Sequence, residues 1–411
     1  MAVDLTKILL NGSIPIGELE CFLSTNFGGS SQIEERIVLY GNCVQITYNK
    51  HNKVSKIEWI NEDSADGKGK LIEKVKHDLL ADYGYNIAQS YITSRTRIIG
   101  PCRIDDEFQI IPLPKGAPLP RMEWADHPAI LQYKYKVSPN DLISSYRQEE
   151  RFSYLINFLN IIIEGGLKYP SCSSRNVWVW PALDGNQLSE AEAEYRQVGF
   201  VTQKQWEEKD NQGFSISEEW EYVDYYSREK GIDIIYFASL ANTIGPKYYS
   251  FKLLIPDDKE VFLRALHWYK CSEESFNISR SQSYANLVFS IEALLPKDCH
   301  KEKCHKCGKD IHKSSISERF KRVLIKYYFG ENNNDEDEIK KNINKFLRMR
   351  SKYVHGSGLM VSDAEPIGFR FSATINADDH EYRKLYQICR AVLTNWLEHP
   401  ERRMSHLNQT D

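Results

Sequence analysis

The segment DEDEIKKNINKFLRMRSKYVHG, residues 335–356, decides the fold of the second half of this chain. Advancing about 100° per residue from Ile339 places the apolar residues at positions 343, 346, 347, 353 and 354 within about 80° of that origin. Acidic residues occupy the start, where they complement the positive end of a helix dipole, and Gly356 is typical of a helix end. The segment therefore predicts a long amphipathic helix with one buried stripe.

Four more helices are predicted on either side of this one. Apolar residues recur at helical spacing in 257–275, 281–295 and 379–397. The remaining helix begins with the capping box Ser315-Ile316-Ser317-Glu318 and ends at Gly330, because the hydroxyl and the carboxylate can each accept from an unpaired backbone N–H. Residues 241–411 are therefore predicted to form an all-α bundle of about five helices.

The first half of the chain has the patterns of β-strands. Alternating segments at 43–48 and 54–60 flank a polar break and predict a hairpin. Further strands are predicted at 90–99, 107–113 and 130–137, and a helix at 146–163. The aromatic segments VWVW, 177–180, and WEYVDYY, 220–226, are interpreted as core packing and sheet faces.

Four prolines in the segment 112–120 predict a linker or a long exposed loop, because proline lacks the N–H donor that a strand ladder needs. Residues 1–240 are predicted to form a mixed, strand-rich region, with a division into two subdomains near 112–121 as one option. The predicted fold class is therefore α+β, with the helical bundle following the strand-rich region.

Composition limits the kinds of function. The 411 residues carry 53 Lys plus Arg against 57 Asp plus Glu, a net charge of -4, which excludes a globally basic nucleic-acid binder but not a local basic surface. No apolar run approaches the ~20 residues that cross a bilayer, and the start of the chain lacks the pattern of a secretory signal. We expect a cytoplasmic protein with no membrane contact.

Arg350 does not fit its predicted helix, because it falls about 20° from the centre of the apolar stripe. A guanidinium there needs a carboxylate, a phosphate or a partner subunit. One interpretation is a structural ion pair with Glu292. His355 follows five residues later, where it is either an ordinary C-terminal histidine or a functional partner of Arg350. On an ideal helix the two lie about 140° apart, so they converge only if the last turn loosens or if two subunits contribute.

Three motifs in this half occur in a characteristic order. They are SIEALLP at 290–296, ISERFKRVL at 316–324 and the R-x4-H spacing of RSKYVHG at 350–356. Together they resemble the HEPN superfamily, and most closely the ApeA-like HEPN domains of bacterial antiviral defence. The resemblance covers residues 250–400.

The resemblance implies a metal-independent endoribonuclease of anti-phage defence, acting by abortive infection, with a homodimer formed through the bundle. Arg350 would hold the scissile phosphate and His355 would act as a general acid or base. Glu292 would orient Arg350, and Ser351, which stands where many relatives have an amide, would support substrate positioning. Residues 1–240 would sense a phage-derived trigger or restrain the nuclease.

Two other functions compete with this one. The first is a non-catalytic binding or dimerisation module in which Arg350 and His355 are structural. The second, zinc-dependent hydrolysis, is weaker because HExxH-like patterns are absent. A set of basic residues has two explanations that fit equally well, steering of RNA and an ordinary solvated helix face. These residues are Lys313, Arg319, Lys321, Arg322 and Lys326.

Cysteine and histidine are concentrated in the segment 299–312. Its centre, CHKCG at 304–308, has the spacing of a zinc knuckle half-site, in which two thiolates face one ion. The candidate ligands are Cys299, Cys304, Cys307 and His312, with His300 or His305 as substitutes. We predict a structural zinc ion, since four protein ligands leave no open position, and a reduced, flexible insertion is the alternative.

Overall fold

The computed structural model describes residues 3–4, 14–49, 54–60, 65–94, 96–98, 102–112, 119–120, 127–163, 167–168, 178–181, 188–191, 221–224, 235–237, 240–276, 278–295, 301–303, 310–312, 316–329, 336–354, 358–364 and 373–399. Antiparallel sheets form the N-terminal part and helices dominate the C-terminal part, which confirms the α+β class.

The strands are short and lie mostly before residue 240. They are β1 (Val3–Asp4), β2 (Ser30–Glu34), β3 (Ile37–Tyr40), β4 (Val44–Tyr48), β5 (Val54–Trp59), β6 (Tyr85–Ser94), β7 (Thr96–Ile98), β8 (Cys102–Ile104), β9 (Phe108–Pro112), β10 (Leu119–Pro120), β11 (His127–Lys136), β12 (Leu167–Lys168), β13 (Trp178–Pro181), β14 (Leu188–Ala191), β15 (Glu221–Asp224), β16 (Ile235–Phe237), β17 (Lys301–Lys303) and β18 (Asp310–His312).

The helices lengthen toward the C-terminal part. They are α1 (Ile16–Phe27), α2 (Ala65–Val75, continued by a π-helical turn at Lys76–Leu80), α3 (Asp141–Ile162), α4 (Leu240–Lys252), α5 (Pro256–Ser275), α6 (Arg280–Ala293), α7 (Ile316–Leu324, continued by a π-helical turn at Ile325–Phe329), α8 (Glu336–Val354), α9 (Val361–Ala364) and α10 (Ala373–Glu398).

The first sheet has the strand order β1-β5-β4-β3-β2. The predicted hairpin is confirmed, since β4 and β5 pair from Val44 opposite Trp59 to Tyr48 opposite Val54. Alternate residues of these strands face a small core that also takes in Leu19 and Phe22 of α1. This core is separate from the larger one described below.

The second sheet has the order β12-β6-β11-β9-β8. Its strands β6, β9 and β11 confirm the three strands predicted in this region, and β11 pairs with β6 over ten residues, from His127 opposite Ser94 to Lys136 opposite Tyr85. The helix α3 begins at Asn140, whose side-chain oxygen accepts from the N–H groups of Leu142 and Ile143. This cap explains why α3 begins before the predicted start at 146.

Smaller sheets have the orders β10-β13-β14, β16-β15-β7 and β17-β18. The first of these corrects the interpretation of the proline-rich segment, because Leu119 and Pro120 pair with Val179 and Trp178. The correction has a simple reason: β10 is an edge strand, where proline is tolerated. The aromatic segments predicted as sheet faces supply the strands β13 and β15.

One hydrophobic core joins the second sheet, α3 and the C-terminal helices. The ring of Tyr248 in α4 lies edge-on to Phe108 at 5.0 Å and to Phe158 at 5.6 Å between centroids. The Arg390 guanidinium of α10 donates to the carbonyl of Ile161 at 2.7 Å, near the end of α3. Residues on both sides of position 240 therefore share a core, and the domain boundary placed there stays a prediction.

The five predicted C-terminal helices are confirmed as α5, α6, α7, α8 and α10. The helix α4 was not predicted, and it contains Pro246 in its interior. Burial of Ile244, Tyr248 and Phe251 against the second sheet offsets the unfavourable effect of this proline. Among the residues described above, no helix has the length and apolar character needed to cross a membrane.

Candidate functional site

Arg350 of α8 faces Glu292 of α6. One guanidinium nitrogen, Nη2, donates to Glu292 Oε2 at 3.3 Å. The Nε atom lies 3.2 Å from Oε1, but the direction of its N–H is not that of a hydrogen bond, and both atoms are buried with no hydrogen-bond partner among the residues that the structure describes. The ion pair considered from the sequence is therefore present, but it uses little of the hydrogen-bonding capacity of Arg350.

Aromatic contacts hold α6 and α8 together on both sides of this pair. The Tyr284 hydroxyl donates to Met349 Sδ at 3.7 Å, and the rings of Tyr284 and Tyr353 meet edge-on at 5.5 Å. Phe346 and Ile343, about one and two turns earlier on α8, are fully buried. Arg350 is therefore held on the packed side of α8 as its helical position predicts, with its side chain 24% exposed.

The electrostatic environment of the pair is partly desolvated. Burial raises the pKa of Glu292 above its ordinary value, and the nearby Arg350 charge only partly opposes this effect. A second anion next to Arg350 would add attraction for a cation that one carboxylate does not fully satisfy. The pair is thus a partly buried ion pair in which the Arg350 side chain remains 24% exposed.

His355 lies outside the described residues, but the segments on either side of it are described. It directly follows Val354, where α8 ends, and precedes Gly358 by three positions. Gly358 lies against the Lys352 side chain so closely that a Cβ there would collide with Lys352 Cε. Gly358 therefore lies next to the last turn of α8.

The segment after this connection is fixed to the start of α6. Asp363 Oδ1 accepts from the Arg280 N–H at 2.7 Å, and Oδ2 accepts from the Ser281 N–H at 2.7 Å and from the Ser279 hydroxyl at 2.8 Å. The Ser281 hydroxyl accepts from the Met360 N–H at 2.7 Å. Burial acts to raise the pKa of Asp363, but these hydrogen bonds lower it below its ordinary value.

Sequence reasoning did not find Asp363, because its partners lie more than 80 positions away in the chain. Its one visible signal is a carboxylate shortly after the glycines Gly356 and Gly358. Ser351, a supporting candidate, has an exposed side chain. On an ideal helix it lies about 100° from Arg350, so α8 does not direct it toward Glu292.

The candidate zinc ligands Cys299, Cys304 and Cys307 lie outside the described residues. His312 ends β18, and its backbone pairs with Lys301, two positions after Cys299. The hairpin of β17 and β18 thus has CHKC in its connection and the two outer candidates near its open end. Within the part of the chain that the structure describes, no three metal-binding side chains come together.

A cleft of about 550 Å³ is lined by α1, the π-helical turn after α2, α3 and the strands β6 and β11 of the second sheet. Arg147 lines it and donates from Nη2 to Glu18 Oε2 at 2.7 Å and to the Leu79 carbonyl at 3.0 Å, and from Nη1 to the Val137 carbonyl at 3.0 Å. Arg151 likewise donates to Glu107 Oε2 at 2.7 Å. These contacts join α3 to α1, to the turn after α2 and to the second sheet, and we assign the cleft no ligand.

Comparisons with models of known protein families, with curated proteins and with solved structures find no match for this chain.

Proposed function

We propose that this protein is a metal-independent endoribonuclease that cuts RNA through Arg350 and His355. One observation carries the proposal: the Arg350 guanidinium lies on the packed side of α8, its side chain is 24% exposed, and among the described residues its one hydrogen bond is the 3.3 Å contact with Glu292. An arginine held in place by a carboxylate, with donors left over, suits a site for a phosphate. The resemblance of 250–400 to ApeA-like HEPN domains supports the same conclusion.

In this reaction the 2′-hydroxyl oxygen attacks the adjacent phosphorus, and the bond from phosphorus to the 5′-oxygen breaks. One histidine takes the 2′-hydroxyl proton, and an acid returns a proton to the leaving 5′-oxygen, which leaves a 2′,3′-cyclic phosphate. His355 is the proposed proton carrier, and a homodimer would supply two copies. Arg350 would stabilise the charge on the phosphate, with Glu292 orienting it and Ser351 next to it in the chain.

The biological role that we propose is anti-phage defence by abortive infection. In this role residues 1–240 respond to a phage-derived trigger and control the helical nuclease. The core shared by the second sheet and the C-terminal helices supports such control, since a change in the sheet would reach the helices through direct packing.

The zinc site remains part of the proposal as a structural element. A Cys3His donor set suits zinc, and the pairing of β17 with β18 supports the proposal because it brings Lys303 opposite Asp310, on either side of the CHKC segment. The ion would hold the insertion between α6 and α7 and would take no part in catalysis. Elemental analysis of the purified protein would refute this part if no zinc is found.

The experiment that tests the function uses total RNA and tRNA in excess EDTA, with wild-type protein, His355→Ala and Arg350→Ala. We expect cleavage by the wild type alone, with 2′,3′-cyclic phosphate ends and a loss of at least about 100-fold in each variant. Circular dichroism would show that both variants keep their helices. Equal cleavage by wild type and His355→Ala would overturn the assignment.

A non-catalytic binding or dimerisation module is the second candidate, and the contact with Glu292 favours it. A structural arginine is expected to have such a carboxylate in its own chain. In this case His355→Ala and Arg350→Ala would change the oligomeric state measured by light scattering, and no RNA would be cut by any of the proteins.

A further inference from the structure

A row of basic residues lies on the side of α8 opposite Arg350. Measured from Lys341 on an ideal helix, Lys345 falls at about 40°, Arg348 at about -20° and Lys352 at about 20°. All four therefore lie within a sector of about 60°, whereas Arg350 lies at about 180°. We call Lys341, Lys345, Arg348 and Lys352 the basic face of α8.

The side chains of the basic face are accessible. Lys341, Arg348 and Lys352 are exposed, and Lys345 is partly exposed and paired with Glu381 of α10 at 2.6 Å. The Lys352 ammonium group lies 5.5 Å from the centre of the Tyr353 ring. Lys384 of α10 extends the surface, since it donates to Asn342 at 2.9 Å. Five cations and one described carboxylate, Glu381, thus share this surface.

The geometry of the basic face suits a single nucleic-acid strand. At about 1.5 Å per residue, its four members form a line roughly 16 Å long. A positively charged track of this kind follows a phosphate backbone without reading its bases. The chain as a whole has a net charge of -4, so the positive charge here is a local concentration.

A lipid surface fits the basic face less well. Membrane-binding helices combine basic residues with large apolar side chains that enter the bilayer. Among the described residues, the exposed large apolar side chains lie on other elements and not on α8. The observations therefore favour a polyanion in water over a membrane.

The basic face also leads to the segment that contains His355. Its last member, Lys352, lies against Gly358, and only three residues separate Val354 from Gly358. At the other end α8 begins with acidic residues at 335–338, which would repel phosphate. A strand bound along the face would thus be held at the His355 end of the helix.

We propose that the basic face of α8 binds the phosphate backbone of single-stranded RNA and leads it to His355. The binding itself depends only on the described surface, and its consequence for cleavage rests on the function proposed above. It assigns RNA contact to α8, in addition to the α7 residues considered from the sequence.

The test measures binding without cleavage. The probe is a fluorescent single-stranded 2′-O-methyl RNA, which lacks the attacking hydroxyl, and anisotropy is recorded over a range of KCl concentrations. The test variant carries Lys341→Ala, Arg348→Ala and Lys352→Ala. The matched control carries Arg36→Ala, Lys74→Ala and Lys76→Ala, which remove the same charge from exposed positions near the first sheet.

We expect the test variant to lower the slope of log affinity against log salt by about 2, and to weaken binding about 100-fold near 0.1 M salt, because three phosphate contacts are lost. The control should bind as the wild type does. Equal binding of the RNA by both variants would overturn the proposal. It would also be overturned if the test variant lost binding to anionic vesicles but bound the RNA as the wild type does. If binding depends on the basic face but natural RNA is not cleaved, the nuclease is refuted and this proposal stands.

Discussion

Two arginine–glutamate pairs in this molecule differ in how completely the arginine is satisfied. Arg147 reaches Glu18 and two backbone carbonyls at 2.7 to 3.0 Å, with its side chain 8% exposed. Arg350 makes one hydrogen bond to Glu292 at 3.3 Å and is 24% exposed. The first arrangement joins α3 to α1 and to the turn after α2, and in the second the Nε of Arg350 has no hydrogen-bond acceptor among the described residues.

This difference separates a structural arginine from a candidate functional one. A buried guanidinium with several good acceptors gains nothing from another ligand, because its donors are already paired. A guanidinium with a spare buried donor is a less stable arrangement, and it is retained at sites where a ligand completes it. The comparison therefore predicts unequal consequences when each arginine is removed.

The largest effect is expected for Arg147→Ala. It leaves Glu18 buried without its charge partner and two carbonyls without their donor, so we expect a loss of about 3–5 kcal/mol in the free energy of unfolding. Urea denaturation followed by circular dichroism measures this loss. A loss below about 1 kcal/mol would show that the junction of α1, α2 and α3 tolerates the change and would break the comparison.

A smaller effect is expected for Asp363→Ala, which removes the acceptor for the N–H groups of Arg280 and Ser281 at the start of α6 and the anchor of the segment after His355. The expected loss is about 1 kcal/mol. Because the folded protein lowers the pKa of Asp363, its contribution is present above the ordinary pKa of about 3.9 and is lost as the pH falls through the lower folded-state value. The free energies of unfolding of wild type and variant should therefore become equal only in strong acid. If they still differ there, the Asp363 carboxylate is not the source of the stability difference.

The smallest effect on stability is expected for Arg350→Ala. We expect a loss of about 1 kcal/mol or less, since the pair is partly exposed and its one hydrogen bond is long. Arg350→Lys is the matched variant that keeps the charge but not the planar donors. If Arg350→Ala destabilises the protein as much as Arg147→Ala does, Arg350 is structural and the comparison fails.

The elements with regular periodicity were predictable from the sequence. The alternation before Trp59 gave the hairpin of β4 and β5, and the apolar spacing of α5, α6, α8 and α10 gave the helices. The contact of Glu292 with Arg350 was an available interpretation because Arg350 lies within the apolar stripe of α8 and Glu292 lies at the edge of the apolar stripe of α6. Each stripe is visible from residues within a few turns of one another.

Other features depended on distant contacts and were missed. The interior Pro246 argued against α4, and only the packing of Tyr248 on the second sheet overrides it. Asp363 lies in a four-residue helix with no periodicity, and its meaning comes from Ser279 and Ser281 far away in the chain. Local patterns carry no information about such pairings.

The shared core of the second sheet and the C-terminal helices has a thermodynamic consequence. Parts that bury one another's apolar surface tend to unfold together as one cooperative unit. A molecule that binds the folded sheet then stabilises α8 and Arg350 by RT ln(1 + [L]/Kd), although it touches neither of them. Hydrogen exchange in the helices can thus report ligands of the sheet.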